Sequence, residues 1–469
     1  MSRPALELPD ETGMPVADAA CAPGPSSRHD GTLAVEAFID ESRISPMQWL
    51  TTILCFMIVL ADGFDTAAIG YIASSLTSAW HIGKADLSPV LSASLVGVAI
   101  GALVAGPLAD RQGRKRVLIG SALFFGITSL LTVFAHSLTM LTVLRFVTGI
   151  GLGAVIPNCV TLVAEYTPQR HRSILVNATY CGFPVGAAVG GFASSWLIPH
   201  MGWHSVLIVG GIVPVVLALA VWVGVPESVR YLVTRKAPAA RIGHILKRIA
   251  PLDLSRVKRF VLHEAGRDQG GSALGIVMSG PYRVGTLMLW TVYFMGLLIF
   301  YLLTSWMPLL MSEAGFTPAQ AAMLTALFPL GGGIGTIFSG WLMDRFNPHK
   351  IVAMGYVLTA VFIYLVGQQM GHLGVLAVLI FIAGTAMNGA QSSMPSLAAA
   401  FYPTNARVTG VAFMYGIGRF GGIAGVFMGG MFTAMGLPLS SVFMLLAIPS
   451  LIAAAALIVK SRAHRTSAM

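Results

Sequence analysis

Four ionisable side chains lie inside long apolar segments of the sequence, where a charge needs a specific reason to be present. They are two acids, Asp62 and Asp65, and two bases, Arg145 and Arg419. At the centre of a bilayer each would cost about 2.5 to 3.5 kcal/mol, so each should face a cavity or the protein interior. A carboxyl group that alternates between pairing with an arginine and binding a proton can carry protons. An arginine without an acidic neighbour can bind an anion through its planar guanidinium group.

The predicted depths of three of these residues coincide. At ~1.5 Å per residue, a helix that enters near residue 48 reaches Asp62 after roughly 21 Å and Asp65 after roughly 26 Å. A helix that enters near residue 139 from the other side reaches Arg145 after roughly 9 Å, the same level in a core about 30 Å thick. The i, i+3 spacing predicts both aspartates on one helix face. We expect these three residues to couple transport to protons, with Glu165 the next candidate; a fixed ion pair that joins two helices is the alternative.

Arg419 lies roughly 18 Å into its own span, close to the midplane. No acid of the second half of the chain lies at that depth, so Arg419 is predicted to bind an anionic substrate. Hydrogen bonding to helix carbonyl groups is the alternative role. Arg407 lies at the mouth of the same span and is a second candidate. Amide and aromatic side chains complete the predicted substrate site: Asn388, Gln391, Tyr301, Trp306 and Phe328.

The composition indicates the helices that must position these residues. Hydrophobic residues make up 55% of the 469 positions and charged residues 10%, whereas soluble domains carry about 25% charge. Apolar runs of roughly 20 residues, enough to cross a bilayer, recur along the chain. The predicted spans lie near 48–71, 89–109, 117–136, 139–162, 173–197, 203–224, 284–310, 320–343, 350–369, 374–397, 407–433 and 440–460. The sequence therefore predicts an all-α membrane protein with twelve transmembrane helices.

The spans divide into two halves of six. We expect an N-terminal bundle at 45–225 and a C-terminal bundle at 284–460, joined by a polar cytoplasmic linker at 226–283. Residues 1–44 are predicted to be a disordered cytoplasmic tail, and residues 461–469 a second cytoplasmic tail.

An internal repeat supports this division. GPLADRQGRKR at 106–116 recurs as GWLMDRFNPHK at 340–350, which predicts two pseudo-symmetric bundles with substrate bound between them. The repeated Asp-Arg pairs can close the cytoplasmic face through ion pairs; anchoring of topology is the alternative role. The predicted gating residues are Asp110, Arg111, Arg114, Asp344 and Arg345.

The net charge of +10 is explained by topology rather than by nucleic-acid binding. Lys84 is the single Lys or Arg in a predicted outward loop. By the positive-inside rule, the basic loops and both termini are expected to be cytoplasmic. The four cysteines have no spacing typical of a metal site or a disulfide framework, and no nucleophile with a base indicates an enzyme.

Several of these segments resemble the major facilitator superfamily. GPLADRQGRKR is similar to its pattern between spans two and three, RFVTGIGLGAVIPN to its fourth-span pattern, and PESVRYL to the segment after span six. The resemblance extends from about residue 48 to 460. It implies the major facilitator fold and transport by alternating access.

A narrower resemblance is to the aromatic acid:proton symporter family, nearest its 4-hydroxybenzoate and protocatechuate permeases. It rests on LADGFDTAAIGYIA, on NGAQSSMPSLAAAFYPTNARVTG and on GIGRFGG. It implies proton-coupled import of an aromatic carboxylate, with Asp62 and Asp65 in transport and proton coupling, Arg145 as their partner, and Arg407 and Arg419 in the anion path. GFPVGAAVGG resembles the antiporter pattern of the superfamily but has Ala187 in place of its proline, which weakens an efflux interpretation.

Two alternatives to uptake remain from sequence. Export or exchange of a small organic anion would use the same arginines, and accumulation in energised cells would distinguish it. A membrane sensor would need a signalling domain, for which the predicted tails are too short. We expect a monomer in the bacterial inner membrane that binds lipid, a small aromatic carboxylate and protons, and that needs no cofactor or metal.

Overall fold

A computed structural model describes residues 28–29, 32–251, 257, 259–262, 273–369 and 372–466. Twelve of its helices are long and apolar enough to cross a membrane, which confirms the predicted fold class. The first six are α2 (Pro46–Trp80), α3 (Ser88–Gln112), α4 (Arg114–Thr132), α5 (Leu138–Tyr166), α6 (Gln169–Met201) and α7 (His204–Gly224). The second six are α11 (Gly280–Glu313), α12 (Pro318–Arg345), α13 (Pro348–Gln368), α14 (Leu373–Phe401), α15 (Thr404–Ala434) and α16 (Leu439–Thr466).

The remaining elements are short. They are β1 (Arg28–His29), β2 (Thr32–Ala34), α1 (Val35–Glu41), a 3₁₀ helix (Lys84–Leu87), α8 (Val229–Thr234), α9 (Ala239–Lys247), β3 (Arg259–Val261) and α10 (Ala273–Val277). Strand β1 pairs antiparallel with β2, and β2 pairs in parallel with β3. We call the side of the molecule that carries α8 and α9 the linker side.

The two halves repeat one packing scheme. In the first half α2 packs on α6, α3 on α5, and α4 on α7; in the second half α11 packs on α15, α12 on α14, and α13 on α16. Each pair thus joins the first span of a half with its fifth, the second with its fourth, and the third with its sixth. The internal repeat of the sequence is therefore also present in the helix packing. Between the halves, α6 packs on α12 and α2 on α11.

The buried apolar side chains divide differently on the two sides of the molecule. Away from the linker side, one cluster contains side chains of both halves, including Leu76, Leu87, Leu303 and Phe432. Toward the linker side there are separate clusters, one made by the first half and the linker and one by the second half. The halves are therefore held together at the side opposite the linker and separate toward it.

Part of the predicted disordered tail is folded. Leu33, Val35, Phe38 and Ile39 are at most 4% exposed and belong to the cluster of the first half, and the amide of Gln169 donates a hydrogen bond to Asp40 at 2.7 Å. These apolar residues pack against the first bundle. The mostly polar composition of the surrounding segment gave no indication of this packing. Residues 1–27 and 30–31 of the predicted tail lie outside the described residues.

Several helices extend beyond the span limits predicted from hydropathy. Helix α2 runs 35 residues, from a capping box at Ser45 and Gln48 to a left-handed His81. Helix α16 continues to Thr466, so most of the predicted tail at 461–469 is helical and 467–469 lie outside the described residues. Hydropathy marks the stretch that fits the hydrocarbon core, whereas the helical hydrogen bonds continue into the interface.

Candidate functional site

An ion pair between α2 and α5 lies at the centre of the first half. Arg145 Nη1 lies 3.1 Å from Asp65 Oδ2 and 3.3 Å from Oδ1, and both side chains are 1% exposed. Ser129 donates a hydrogen bond to Asp65 at 2.7 Å, and Arg145 donates one to Thr132 at 2.9 Å. The ion pair expected between the first and fourth spans is therefore present. The hydroxyls of Ser129 and Thr132 on α4 thus add hydrogen bonds to the ion pair, while the buried Nε of Arg145 has no hydrogen-bond partner among the described residues.

A close helix contact sets the position of the two aspartates. A Cβ atom at Gly63, between them, would lie 2.0 Å from the carbonyl oxygen of Phe183 in α6. Only glycine allows α2 and α6 to approach this closely. The backbone that carries Asp62 and Asp65 is therefore fixed against α6.

Asp62 has different surroundings from Asp65. It is 3% exposed, and its carboxylate accepts a hydrogen bond from Thr66 at 3.3 Å on its own helix. Within the described part of the chain it makes no ion pair. Its electrostatic neighbours include Asp65 and, from the second half, Arg419. Asp65 thus faces α4 and α5, whereas Asp62 interacts across the interface between the halves. Of the two acids expected to partner Arg145, Asp65 makes the ion pair in this state.

Arg419 lies on α15 and is half-buried. Its charge acts on Asp62 and on the hydroxyl groups of Tyr180, Tyr293 and Tyr301. Tyr180, from α6, and Tyr293, from α11, also act on each other, so phenol groups of both halves share this region. Among the described residues, Arg419 has no hydrogen-bond or ion-pair partner of its own. A cation, an acid and three phenol groups therefore share one region between the halves, which we call the central site.

The two predicted amide residues differ in availability. Asn388 uses its amide nitrogen for Gly384 of its own helix at 3.0 Å. Gln391 accepts a hydrogen bond from Tyr356 at 2.5 Å and donates one to the carbonyl of Tyr293 at 3.4 Å. Gln391 thus ties α14 to α13 and α11. This packing role differs from the predicted substrate contact.

Two aromatic residues predicted for the substrate site are buried instead. Trp306 is 0% exposed and donates its ring N–H to the carbonyl of Val426 at 2.9 Å. Phe328 is 1% exposed and packs against Phe300, with ring centroids 6.3 Å apart. Both belong to the cluster that joins the halves opposite the linker side. Tyr301 is the predicted aromatic residue that does lie in the central site, since Arg419 and Asp62 act on it.

The predicted gating residues lie at the linker side, but their ion pairs stay within the first half. Arg114 lies 2.6 Å from Asp110 and 3.7 Å from Glu165. Asp344 and Arg345 are exposed, and the guanidinium of Arg345 lies 4.2 Å from the ring centroid of Trp341. No ion pair between described residues joins the halves on this side, so the predicted gating residues do not connect the two halves in this state. The physical reason is that the halves are separated here.

Glu165 and Arg407 also lie toward the linker side. The hydroxyl of Ser228 donates a hydrogen bond to Glu165, which ties the end of α5 to the segment after α7. Arg407 is exposed on the first turns of α15. Neither side chain belongs to the central site.

An ion pair between the halves is found on the opposite side. Lys84 Nζ lies 2.6 Å from Glu313 Oε1, and together with Leu310, Phe432 and Val442 they line a surface depression of about 740 Å³. Lys84 precedes α3 and Glu313 ends α11, so the pair connects the first half to the second. It adds a polar contact to the apolar cluster that closes this side.

The profile of the Major Facilitator Superfamily matches residues 54–322 and 289–468, from within the first span to beyond the twelfth. The chain belongs to the major facilitator superfamily. It is 48% identical to the 4-hydroxybenzoate transporter PcaK of Pseudomonas aeruginosa, over 91% of this chain and 96% of that protein. It is 44% identical to the gallate transporter of Pseudomonas putida, over 93% and 96%. These relatives confirm membership of the aromatic-acid permeases of the superfamily, and the expectation of a transporter rather than an enzyme.

A solved structure agrees at the level of the fold. The D-xylose-proton symporter superposes with a TM-score of 0.67 at 16% identity and covers 87% of this chain and 97% of its own. The predicted twelve-helix facilitator fold is thereby confirmed. The chain is therefore a multi-pass membrane transporter.

Sequence reasoning missed three groups of the site. Tyr180 of α6 was not singled out, although a tyrosine in an apolar span signals a hydroxyl that needs a partner. Ser129 and Thr132 were missed because hydroxyl residues are common in membrane helices, where they can bond to their own backbone. Their distance from Asp65 along the chain gave no indication of contact.

Proposed function

We propose that this transporter imports an aromatic carboxylate together with protons by alternating access. The observation that carries the proposal is Arg419, a half-buried cation that makes no hydrogen bond or ion pair with a described residue and acts on the phenol groups of Tyr180 and Tyr301. A guanidinium group can hold a carboxylate through two parallel hydrogen bonds. Phenol hydroxyls and aromatic faces suit a hydroxylated ring. The names of the relatives, 4-hydroxybenzoate and gallate transporters, agree with this substrate class.

Asp62 gives a simple account of proton coupling. Without substrate, the charges of Asp62 and Arg419 offset one another across the interface. A substrate carboxylate brings a second negative charge to Arg419. If Asp62 takes up a proton at the same time, the site again contains one cation and one anion. One proton therefore accompanies one carboxylate, because other loads would leave an uncompensated charge in a low-dielectric site.

Asp65 has a different role in this scheme. Its carboxylate is already neutralised by Arg145 and held by Ser129. We infer that Asp65 holds α2 against α4 and α5, so that Asp62 keeps its position while the halves move. Asp65 thus positions the proton site without being the proton carrier.

Alternating access follows from the division of the apolar clusters. The cluster opposite the linker side holds the halves together, and the linker side contains a separate cluster for each half. Since most basic loops are at the linker side, we infer that this side is cytoplasmic and that the protein lies in the inner membrane. Because the halves are separated on this side, the state is open inward. Outward opening would require the Lys84–Glu313 pair to break and the linker side to close.

The proposal can be tested in proteoliposomes with radiolabelled 4-hydroxybenzoate. We expect the wild type to accumulate substrate under an inward proton gradient and a protonophore to abolish this accumulation. Arg419→Lys should accumulate little, because an ammonium group cannot bind a carboxylate through two parallel hydrogen bonds as a planar guanidinium does. Arg283→Lys, at an exposed arginine in the first turn of α11, is the matched control and should behave as wild type. Accumulation unaffected by the protonophore would refute proton coupling. Accumulation by Arg419→Lys equal to that of the control would refute the assigned anion site.

A further inference from the structure

A group of basic side chains lies at the linker-side ends of α4 and α7. Lys115 Nζ donates a hydrogen bond to the carbonyl of Trp222, at the end of α7, at 2.7 Å. Arg248 Nη2 lies 3.4 Å from the carbonyl of Gly224. The charges of Arg241 and Arg248 both act on Lys115. We call Lys115, Arg241 and Arg248 the basic cluster.

The one acid that acts on Lys115 does not neutralise the cluster. Glu227 is 8% exposed, and its Oε1 accepts hydrogen bonds from the backbone amides of Lys115 and Ser228, both at 3.0 Å. This carboxylate caps the start of α4, where the helix dipole is positive. Neither Arg241 nor Arg248 makes an ion pair with a described carboxylate. The cluster therefore retains an excess of positive charge.

The arrangement of α9 directs these cations outward. Ile242, Ile245 and Leu246 are buried against the first half, whereas Arg241, Lys247 and Arg248 are exposed. Helix α9 is thus amphipathic, with its apolar face on the bundle and its basic face free. The basic face lies beside the end of a membrane-spanning helix.

An apolar surface adjoins the basic cluster. Trp222 is 65% and Val223 81% exposed at the end of α7, and Leu219 and Val216, further along the same helix, are 51% and 57% exposed. In a membrane this strip faces the acyl chains, and a terminal Trp is typical of the headgroup level. The cations therefore lie where an acyl-chain surface meets the headgroup layer.

The second half lacks this arrangement. His349 aligns with Lys115 in the repeat, and the neighbouring cation, Lys460 of α16, is 1% exposed with its Nζ 2.8 Å from His349 Nε2. Lys460 also lies 4.6 Å from the ring centroid of Phe401. A buried lysine of this kind does not present its charge to the lipid. At the position that corresponds to Lys115, the second half therefore has a buried lysine and a histidine instead of an exposed basic cluster.

We propose that the basic cluster binds the phosphate headgroup of an anionic phospholipid, whose acyl chains lie along α7 beside Trp222. Paired cations at the membrane interface recognise anionic headgroups, and the adjoining apolar strip selects a lipid over a soluble anion. The lipid joins α4 and α7 to the linker helix α9. This site is separate from the central site and does not depend on the transported substrate.

The test is titration of the purified full-length transporter with phosphatidylglycerol in detergent, followed by native mass spectrometry of bound lipid. We expect tighter binding than for phosphatidylcholine, and Arg241→Gln/Arg248→Gln to weaken it roughly thirtyfold. The control Arg283→Gln/Lys350→Gln removes two exposed cations from the linker side of the second half and should retain the affinity of wild type.

Two further measurements separate the alternatives. Binding to wild type should weaken at high salt, because an exposed headgroup contact is screened. Inorganic phosphate should compete poorly, since it lacks the acyl chains. Equal binding of both lipids, equal loss in the control, insensitivity to salt, or full displacement by phosphate would each overturn the proposal. The salt series uses wild type alone, so it decides the question even if the double variant does not fold.

Discussion

The different surroundings of Asp62 and Asp65 lead to a quantitative prediction about two chemically identical substitutions. Asp65→Asn leaves the Arg145 guanidinium without its carboxylate at a site where both side chains are 1% exposed. Breaking a buried ion pair by removing one partner costs about 3 to 5 kcal/mol. Asp62→Asn removes no ion pair and alters one hydrogen bond of 3.3 Å from Thr66. Such a bond contributes about 0.5 to 1.5 kcal/mol.

The assay is thermal unfolding of the purified variants in detergent, with transport measured in parallel. Asp65→Asn should melt well below wild type, and Asp62→Asn close to it. The double variant Asp65→Asn/Arg145→Gln removes both charges and should recover part of the loss, because no lone buried charge remains. For transport, Asp62→Asn should exchange substrate across the membrane but fail to concentrate it under a pH gradient.

Two results would refute this reasoning. If both single variants melt at the same temperature, the Asp65–Arg145 pair does not have the structural role assigned to it. If Asp62→Asn concentrates substrate under a pH gradient as wild type does, Asp62 is not the proton carrier. In that case the carrier must be sought at Asp65 or at Glu165.

Three further predictions address other parts of the molecule. Arg419→Lys should weaken equilibrium binding of 4-hydroxybenzoate at least about tenfold, measured by calorimetry. Asn388→Ala should lower the binding free energy by about 1 kcal/mol. Equal affinity in wild type and Arg419→Lys would show that Arg419 does not bind the substrate. Lys84→Glu and Glu313→Lys should each slow uptake, by less than about fivefold for an exposed pair, and the charge-swapped double variant should recover; failure to recover would show that the pair does not act as a gate. Phe38→Ala should cost about 3 to 5 kcal/mol, measured as a lower melting temperature, because this ring is 0% exposed. Unchanged melting would show that α1 does not stabilise the bundle.

Charges inside apolar segments were the most informative part of the sequence. Because a charge in hydrocarbon is costly, Asp65 and Arg145 at the same depth had few other arrangements available. The i, i+3 spacing nevertheless leaves about 60° between side chains around a helix. In a helix surrounded by neighbours, this angle separates Asp62, which interacts with the second half, from Asp65, which faces α4 and α5.

Aromatic and amide side chains were harder to place. Trp306 and Tyr301 lie five residues apart on one helix, yet the first is fully buried and the second lies in the central site. Their roles depend on how the halves meet, which local sequence does not specify. The fold of residues 32–44 was missed for a similar reason, since Phe38 is stabilised by contacts with distant segments.

The pairing of β2 with β3 has a consequence for how the chain is made. Thr32–Ala34 can pair with β1 at once, but it cannot pair with β3 until Arg259–Val261 has been synthesised. At ~5 to 20 residues per second this is roughly ten to forty-five seconds later. By then all six helices of the first half have left the ribosome, and none of the second half has. The small sheet therefore joins the segment before the first half to the linker after it while the second half is still to be synthesised.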